Sequence, residues 1–330
     1  MRAIIVNRPG GPAALRLTET ETPAPGPDQV LVKVAAAGVN FIDTYRRSGV
    51  YRVAFPHIPG SEGAGTVAAL GQRVAGFAVG DQVAWASSAT GSYAEYALVD
   101  AARLLPAPAG LTLDVAAALP LQGLTADYLT RSTYELGPDD VALIYAAAGG
   151  VGGLATQMAL AAGARVIAAV GSAAKIETVA GLGVAPHDIV NLAALADLTR
   201  DLPAAVRERT GGAGAHVAYD GIGRDTFAAT LASLRRRGLA VLFGGASGQV
   251  APFDPQELNA HGSLYLTRPK LDDYVASPDE LRERADRLFA AAAAGRLRVA
   301  IGRRVPLADA SGAHELLESR QSQGKIVLYM

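Results

Sequence analysis

The feature that most constrains this chain is an apolar run that leads directly into a cluster of glycines. Val141–Ala146 has the composition of a buried strand. Gly150, Gly152 and Ala155 follow it with the spacing G-x-G-x-x-G/A. Glycines permit a tight turn and let the backbone approach a pyrophosphate, whose charge meets unpaired N–H groups at a helix start. Such a turn also occurs where a helix merely packs on a strand, but the strand predicted at Ala164–Val170 completes the order of a dinucleotide site.

The end of that second strand indicates which dinucleotide the turn would hold. An NAD site usually places an Asp or Glu there to bond the ribose 2′-hydroxyl. Here the strand continues into Gly171, Ser172 and then Lys175, a hydroxyl and a cation that suit a 2′-phosphate. Lys175 could equally be an ordinary surface lysine on the following helix. The absent acid and the present cation together favour NADPH.

Bulk properties exclude several other classes of function. The length of 330 residues predicts two domains that share a deep cleft. Lys and Arg total 30 against 31 Asp and Glu, so no global field favours nucleic acid or an anionic membrane. The absence of cysteine excludes disulfides, thiolate nucleophiles and Cys-based zinc sites. With no signal-peptide pattern and no apolar run long enough to span a bilayer, we expect a cytoplasmic protein.

The pattern of apolar runs changes near residue 121. Before it, the runs are short, β-branched and broken by Gly or Pro, which predicts a mostly β domain over residues 1–121. After it, apolar strands alternate with longer helical stretches, which predicts a parallel sheet of βαβ units over residues 122–264. Residues from about 265 to 330 end in a strand-like run, Lys325–Leu328, and we expect them to complete the first domain.

Six strands and a late helix are predicted in the second half of the chain. The strands are Val141–Ala146, Ala164–Val170, His187–Val190, His216–Tyr219, Leu239–Phe243 and Ser263–Leu266. The helix begins with the capping box Ser277–Glu280 and stops at Gly295. Arg235–Arg237 precede Gly238 and are interpreted as the cationic C-terminus of a helix, although such a run also suggests nucleic-acid binding.

Two segments of the first domain resemble the metal-binding segments of zinc alcohol dehydrogenases. Gly60–Gly71 is similar to their G-H-E-x-x-G-x-V-x-x-x-G motif, with Ser61 in place of the zinc-binding His. Val39–Asp43 is similar to their V-C-x-x-D stretch, with Asn40 in place of the Cys. A catalytic zinc needs three protein ligands, so we expect a related scaffold without the metal.

Along nearly its whole length the chain resembles the zinc-free quinone oxidoreductases of the medium-chain dehydrogenase/reductase superfamily. The segments that carry the resemblance are Val39–Tyr51, Gly60–Glu62, Leu121–Ala126, Ala146–Gly152, Tyr219–Asp220, Arg236–Gly238 and Ser263–Pro269. The resemblance implies an α/β fold: a Rossmann domain with a doubly wound parallel sheet, plus a mostly β GroES-like catalytic domain. It also implies a homodimer formed through the cofactor domain, with edge-strand pairing near Ser263–Leu266.

The resemblance further implies which residues surround the cofactor and the reacting groups. The implied cofactor-binding residues are Asn40, Phe41, Ile42, Asp43, Tyr45, Tyr128, Gly149, Gly150, Val151, Gly152, Gly171, Ser172, Lys175, Phe243, Gly244, Gly245, Ala246, Pro269, Lys270, Leu271 and Arg320. The implied catalytic residues are Asn40, Asp43, Tyr45 and Tyr51. Glu62 is expected to have a structural role.

The expected reaction is hydride transfer from NADPH to a quinone, whose two carbonyls accept negative charge without a metal. Tyr45 or Tyr51 could donate a hydrogen bond or a proton to the developing oxyanion while Asn40 orients the ring or the carbonyl. Both tyrosines could equally be packing residues. Two other functions stay open: reduction of an enoyl or alkenal double bond on the same scaffold, and a non-enzymatic RNA-binding or structural role.

Overall fold

The computed structural model describes all 330 residues, which divide into two compact units. Unit 1 contains Met1–Leu124 and Val275–Met330, and unit 2 contains Thr125–Tyr274. Unit 1 is therefore discontinuous in sequence, because the chain leaves it to form unit 2 and then returns. No helix in the protein combines the length and the apolar composition that crossing a bilayer requires.

Fifteen strands and eleven α-helices build the two units. The strands are β1 (Arg2–Ile5), β2 (Arg16–Glu19), β3 (Gln29–Val39), β4 (Glu62–Leu70), β5 (Gln82–Trp85), β6 (Tyr96–Asp100), β7 (Leu105–Pro106), β8 (Val141–Tyr145), β9 (Arg165–Val170), β10 (Ile189–Asn191), β11 (Ala215–Asp220), β12 (Leu234–Leu242), β13 (Tyr265–Thr267), β14 (Ile301–Pro306) and β15 (Lys325–Tyr329). The helices are α1 (Phe41–Ser48), α2 (Leu113–Ala118), α3 (Pro120–Tyr128), α4 (Gly150–Ala161), α5 (Ile176–Ala180), α6 (Leu198–Arg209), α7 (Phe227–Ser233), α8 (Gln256–Ala260), α9 (Leu271–Tyr274), α10 (Pro278–Ala293) and α11 (Ala310–Glu318).

Unit 2 is an α/β fold built on one six-stranded sheet. Its strand order is β10-β9-β8-β11-β12-β13, and every neighbouring pair is parallel. This is the order of the Rossmann fold, in which the chain reverses its direction of travel beside the first strand, β8. Buried apolar residues such as Leu143, Ile167 and Leu231 join strands and helices in one core. The predicted doubly wound parallel sheet is confirmed.

All six predicted strands are present, but β12 begins earlier than predicted, at Leu234. Arg235–Arg237 therefore lie in a strand, and their interpretation as a helix C-terminus is wrong. The preceding helix α7 already ends at Ser233. Arg237 has a positive φ of 57°, its N–H donates to Gly262 O at 2.9 Å, and the register between β11 and β12 shifts in this region. The irregularity interrupts the apolar pattern and hides the start of the strand.

Unit 1 is mostly β, as predicted. A seven-stranded sheet has the order β14-β15-β3-β4-β5-β7, with β6 also paired to β3, while β1 and β2 form a separate pair. Neighbouring strands are antiparallel except β14 and β15, which are parallel. β15 pairs Ile326 with Val39 of β3, so residues after unit 2 complete the sheet that β3 begins.

The chain returns to unit 1 at Val275 rather than near residue 265, because β13 pairs with β12 in the sheet of unit 2. Helix α10 then begins with the predicted cap, in which Ser277 Oγ accepts from Glu280 N at 3.1 Å. The helix ends at Ala293, and Gly295 follows with a positive φ of 68°. Glycine takes this conformation without strain, so it is a suitable stop.

Candidate active site

The glycine-rich turn of unit 2 lies at the carboxyl end of β8, beside the reversal of the strand order. Ala146 adopts a positive φ of 49° directly after the strand, and α4 begins at Gly150. A Cβ at Gly152 would lie 2.3 Å from the carbonyl oxygen of Ala146 and 2.8 Å from that of Tyr145. Only glycine fits, because strand and helix approach within backbone contact. The missing side chain gives the turn its shape.

The first residues of α4 leave backbone donors for a ligand. Gly153 N donates to Gly149 O at 2.8 Å, which is the first bond of the helical ladder. The N–H groups of Gly150, Val151 and Gly152 precede that bond and have no intrahelical acceptor. These donors, together with the positive end of the helix dipole, suit an anion. The diphosphate of a dinucleotide therefore fits this turn and would be held by backbone groups.

The turn after β9 fits the phosphate of an NADP-type cofactor. Gly171, Ser172 and Lys175 follow the strand, and no Asp or Glu occurs before Glu177. A Cβ at Gly171 would meet no atom within 4 Å, so the position is open. Lys175 is half-buried, and this burial lowers the pKa of its ammonium group. A hydroxyl and a cation beside an open position are suitable partners for a phosphate.

The predicted residues Phe243–Ala246 form a turn at the carboxyl end of β12. Phe243 N donates to Asp220 O at 2.9 Å, and a Cβ at Gly244 would lie 2.4 Å from Gly221 O. The Asp220 carboxyl is buried, and this burial raises its pKa. The turns that follow β11 and β12 are thus packed backbone against backbone at the same edge of the sheet as the glycine-rich turn.

Tyr128, another predicted cofactor-binding residue, is buried and stacked on a second tyrosine. Its side chain is 2% exposed, and its ring stacks on Tyr274 with the centroids 4.3 Å apart. Burial raises the pKa of the Tyr128 hydroxyl. Packing within the protein therefore covers most of this ring, and a contact with a cofactor is a prediction that concerns only its remaining edge.

The remaining predicted cofactor-binding residues lie at the ends of elements. Pro269, Lys270 and Leu271 stand between β13 and the first turn of α9, where Lys270 Nζ forms an exposed ion pair with Asp273 at 3.2 Å. Arg320, in unit 1, follows α11 and has a positive φ of 59°. Positions of this kind commonly carry binding residues.

In unit 1, strand register assembles a polar cluster. Gly38 of β3 pairs with Glu62 of β4, and Lys325 begins β15 on the other side of β3. Asn40 follows β3 directly and therefore lies beside both charged residues. A Cβ at Gly38 would lie 2.2 Å from Glu62 Oε1, so this glycine leaves the space that the carboxylate occupies.

The side chains of this cluster satisfy one another. Asn40 Nδ2 donates to Glu62 Oε1 at 2.8 Å, and Asn40 Oδ1 accepts from Lys325 Nζ at 2.5 Å. Lys325 also forms an ion pair with Glu62, whose other oxygen accepts from Leu121 N at 2.7 Å. All three side chains are buried. Buried charges need such partners, so the contacts support the structural role predicted for Glu62.

Asp43, in the first turn of α1, is the next polar group. Its Oδ1 accepts from Ser61 Oγ at 2.7 Å, and its Oδ2 accepts from Asn40 N at 3.0 Å. Arg46 Nη1 in turn donates to Ser61 Oγ at 3.0 Å. Burial raises the pKa of the Asp43 carboxyl, and the hydrogen bond from Ser61 opposes that rise. Asp43 thus fixes the start of α1, including the backbone of Asn40 and the half-buried Ile42.

The two positions that resemble zinc ligands do not fit a metal. Asn40 offers an amide and Ser61 a hydroxyl, and each is already contacted by a cation, Lys325 and Arg46 respectively. Two positive charges there would repel Zn²⁺, which prefers thiolate, imidazole and carboxylate ligands. No group of three or more His, Cys, Asp or Glu side chains is arranged to hold a metal ion.

A second buried chain of polar groups was not predicted from the sequence. Tyr93 OH lies 3.4 Å from Asp43 Oδ2 and 3.1 Å from His314 Nε2, and Arg47 Nη1 lies 2.9 Å from His314 Nδ1. A guanidinium can only donate, so Nδ1 accepts and Nε2 carries the hydrogen that it donates to Tyr93. Burial, together with the charge of Arg47, lowers the pKa of His314 to about 3. The imidazole is therefore neutral near pH 7.

Tyr45 and Tyr51 form an aromatic group at one end of this segment. Their rings meet edge to face with centroids 5.3 Å apart, and the ring of Phe41 lies 6.2 Å from that of Tyr45. Tyr51 is 37% exposed. Together with Asn40 and Asp43, the tyrosines bring the four predicted catalytic residues onto α1 and the residues next to it.

Comparison with known proteins matches both units. Residues 26–109 match the alcohol dehydrogenase GroES-like domain, and residues 150–275 match the zinc-binding dehydrogenase family. Quinone oxidoreductase 1 of Escherichia coli is 41% identical over 324 residues, which are 97% of this chain and 96% of the relative. A 2-haloacrylate reductase from Burkholderia sp is 38% identical over 333 residues, which are 99% of this chain and 98% of the relative.

A solved structure is also similar to this chain. A mycobacterial protein complexed with NADPH superposes on this chain with a TM-score of 0.96 at 44% identity, covering 100% of each chain. The two matched domains, the strand order and the identity over almost the whole length agree with one another. The chain belongs to the quinone oxidoreductase family of the medium-chain dehydrogenase/reductase superfamily.

Proposed function

We propose that this protein is an NADPH-dependent reductase of quinones that works without a metal ion. The observation that carries the proposal is the turn at Gly149–Gly152, where backbone donors and missing side chains leave a place for a diphosphate. The acid-free turn with Ser172 and Lys175 supports NADPH over NADH. A relative named quinone oxidoreductase and a similar protein solved with NADPH support the same cofactor and acceptor.

We propose that the predicted cofactor-binding residues contact NADPH. In unit 2 the contacts would come from Gly149–Gly152, from the Gly171–Lys175 turn, and from the loops at Phe243–Ala246 and Pro269–Leu271. In unit 1 they would come from Arg320 and from the start of α1. Bound NADPH supplies a hydride to a conjugated carbonyl acceptor.

The protein's own side chains would orient the acceptor and stabilise its charge. The side-chain amide of Asn40 would contact the nicotinamide or the acceptor carbonyl, and Tyr45 or Tyr51 would donate a hydrogen bond to the oxygen that gains negative charge. Asp43 would act indirectly, by holding the start of α1. A quinone distributes the added charge over two oxygens, so hydrogen bonds can replace a Lewis acid.

A steady-state panel of acceptors tests the proposal. The acceptors are 1,4-benzoquinone, 9,10-phenanthrenequinone and short 2-alkenals, each with NADPH and with NADH. We expect the highest kcat/KM with a quinone and NADPH. A preference for an alkenal would replace the quinone assignment. The alkenals are included because a 2-haloacrylate reductase is among the similar proteins. A preference for NADH would contradict the role given to Lys175.

The metal-free mechanism is tested by chelation. Because cations occupy the two positions that resemble zinc ligands, we expect full activity after dialysis against EDTA and no gain on adding Zn²⁺. Recovery of activity only with zinc would contradict the proposal.

We further propose a cytoplasmic homodimer with a small-molecule acceptor and no nucleic-acid partner. β13 is an edge strand with one neighbour, and its Tyr265 is 62% exposed, so a second copy could extend the sheet there. Sedimentation should give twice the chain mass of 33.8 kDa, and Tyr265→Asp should shift the equilibrium toward single chains. Tight RNA binding without NADPH oxidation would instead favour the non-enzymatic role.

A further inference from the structure

The side-chain amide of Asn40 is fixed in one orientation by charges on both sides. Lys325 Nζ lies 2.5 Å from Asn40 Oδ1, and Glu62 Oε1 lies 2.8 Å from Asn40 Nδ2. An ammonium can only donate a hydrogen bond and a carboxylate can only accept one. Rotating the amide by half a turn would place its NH₂ against the ammonium and its oxygen against the carboxylate. Lys325 and Glu62 together therefore exclude the flipped amide.

Lys325 is well placed to enforce this orientation. Its side chain is 4% exposed and that of Glu62 is 0% exposed, so little water screens the contact. β15 is anchored on β3 by the pairing of Ile326 with Val39, directly before Asn40. The backbone that carries the ammonium is thus tied to the backbone that carries the amide.

We propose that Lys325 is a positioning residue that orients the Asn40 amide for hydride transfer. The inference rests on the proposed function, in which Asn40 contacts the nicotinamide or the acceptor. With Lys325 on its oxygen and Glu62 on one N–H, the amide keeps a second lone pair on its oxygen, and its nitrogen makes only a long further hydrogen bond, to Gly38 O at 3.4 Å. The remaining lone pair and N–H of the amide keep a fixed direction, because Lys325 holds the oxygen of the amide and Glu62 holds its nitrogen.

The competing role for Lys325 is simple neutralisation of Glu62. A buried carboxylate without its cation is unstable, so the loss of Lys325 would then reduce activity only by unfolding the protein. The two roles predict different results in the double variant Glu62→Gln/Lys325→Met, which removes both charges. Neutralisation alone predicts recovery of stability and of kcat. Positioning predicts recovery of stability with a low kcat, because neither neighbour then orients the amide.

The single variants are Lys325→Met, which keeps most of the stem, and Lys325→Arg, which keeps the charge. The matched control is Arg284→Met, because Arg284 is also a buried cation of unit 1, 6% exposed and paired with Glu280 at 2.8 Å, outside the Asn40 cluster. We expect Lys325→Met to lower kcat about 10- to 100-fold with a smaller change in the KM for NADPH, since a misplaced group mainly affects the transition state. Lys325→Arg should restore most of the loss, and Arg284→Met should leave kcat unchanged.

The orientation of the amide can also be observed without turnover. The chain contains four asparagines, Asn7, Asn40, Asn191 and Asn259, so selective ¹⁵N labelling gives four side-chain NH₂ pairs, and Asn40→Asp identifies one of them. In the wild type and in Arg284→Met, the two side-chain N–H signals of Asn40 should be well separated, and their hydrogens should exchange slowly with water. These signals should shift and broaden in Lys325→Met and in the double variant.

The outcomes separate the two claims. If the wild type oxidises no NADPH with any acceptor, the proposed function fails, and the NMR spectra alone decide whether Lys325 orients the amide. If the wild type is active but Lys325→Met matches Arg284→Met in kcat and in the Asn40 signals, the positioning role is wrong. Recovery of wild-type kcat in a stable double variant would also overturn it.

Discussion

The cluster around Asn40 in unit 1 and the turn at Gly150 in unit 2 achieve order by opposite means. The cluster consists of side chains that satisfy one another, with Glu62, Lys325 and Asp43 all buried and hydrogen-bonded. The turn consists of backbone, and its defining property is that a Cβ at Gly152 would lie 2.3 Å from another residue's carbonyl oxygen. The Asn40 cluster is held together by paired charges, whereas the turn keeps its shape because no side chain occupies position 152.

This difference determines what each region tolerates. A cluster of buried charges loses most stability when one partner is removed, because the remaining charge stays buried without compensation. A turn formed by closely packed backbone is disturbed most when a side-chain atom is added, because strand and helix cannot move apart without disturbing the sheet. Substitution, pH and ligand affinity therefore probe the two regions in different ways.

The largest effect is expected from removing a buried charge in unit 1. Glu62→Ala should lower the free energy of unfolding by about 3–5 kcal/mol, because Lys325 then keeps a buried charge without its carboxylate. The control is Glu95→Ala, which breaks an exposed ion pair with Arg2 and should change the same quantity by about 0–1 kcal/mol. Urea unfolding measures both. Equal losses in the two variants would contradict a charge-based cluster.

A pH effect should follow from His314. Its pKa is lowered from 6.5 to about 3, so between these values the unfolded chain binds a proton that the folded protein does not. Stability from this group is complete above pH 6.5 and is lost as the pH falls toward 3, by up to about 1.4 kcal/mol per pH unit. His314→Gln keeps a donor and an acceptor but cannot titrate, so its stability should fall less between pH 7 and pH 4.

Asp43, in the same network, has a raised pKa and acts in the opposite direction, since its folded form retains a proton that the unfolded chain releases. The difference between wild type and His314→Gln removes this shared contribution. The exposed His261→Gln serves as the control. Parallel stability curves for wild type and His314→Gln would show that the imidazole is not held neutral.

In the turn, an added methyl group should weaken cofactor binding. Gly152→Ala forces a shift of strand or helix that costs about 1–3 kcal/mol, and it should raise the Kd for NADPH roughly 10- to 100-fold. The neighbouring Gly153→Ala is the matched control, because its Cβ would lie 3.4 Å from the nearest atom, Ala147 O, which is an ordinary contact. Calorimetric titration with NADPH measures both. Equal affinities in the two variants would refute the steric account.

The smallest effect should come from a side chain that assists the turn. Lys175→Ala should raise the KM for NADPH about tenfold and leave that for NADH unchanged, because a charge-assisted hydrogen bond from a half-buried lysine to the 2′-phosphate contributes about 1.5 kcal/mol, the lower end of the usual range. Lys33→Ala, at an exposed lysine of unit 1, should change neither constant. Equal changes with both cofactors would remove Lys175 from the phosphate site.

The same contrast explains what could be predicted from the sequence. The turn is local: strand β8, its glycines and helix α4 are consecutive, so spacing alone revealed it. The Asn40 cluster depends on strand register, which places Lys325 beside a residue 285 positions earlier. No local pattern reports such a contact. A lysine at the start of an apolar C-terminal strand was the one available signal, because burying it requires a carboxylate partner.

The other failures have the same physical origin. Arg235–Arg237 look like a helix end because three cations precede a glycine. Leu234 and Leu239 on either side of them pair with β11, so the arginines lie in an irregular part of a strand. Tyr93 and His314 were not connected, since 221 residues separate them. Tertiary pairing overrides local preference at each of these places.

The pairing of β3 with β15, a strand that is translated much later, has a consequence for biosynthesis. Unit 2 is a continuous segment that ends at Tyr274, so all of it has left the ribosome before the final strand is translated. β3 can acquire its neighbour β15 only after β15 has itself been translated, and the ammonium beside Asn40 arrives with that strand. A nascent chain stalled just before residue 325 is therefore expected to hold a folded unit 2 and an incomplete polar cluster around Asn40.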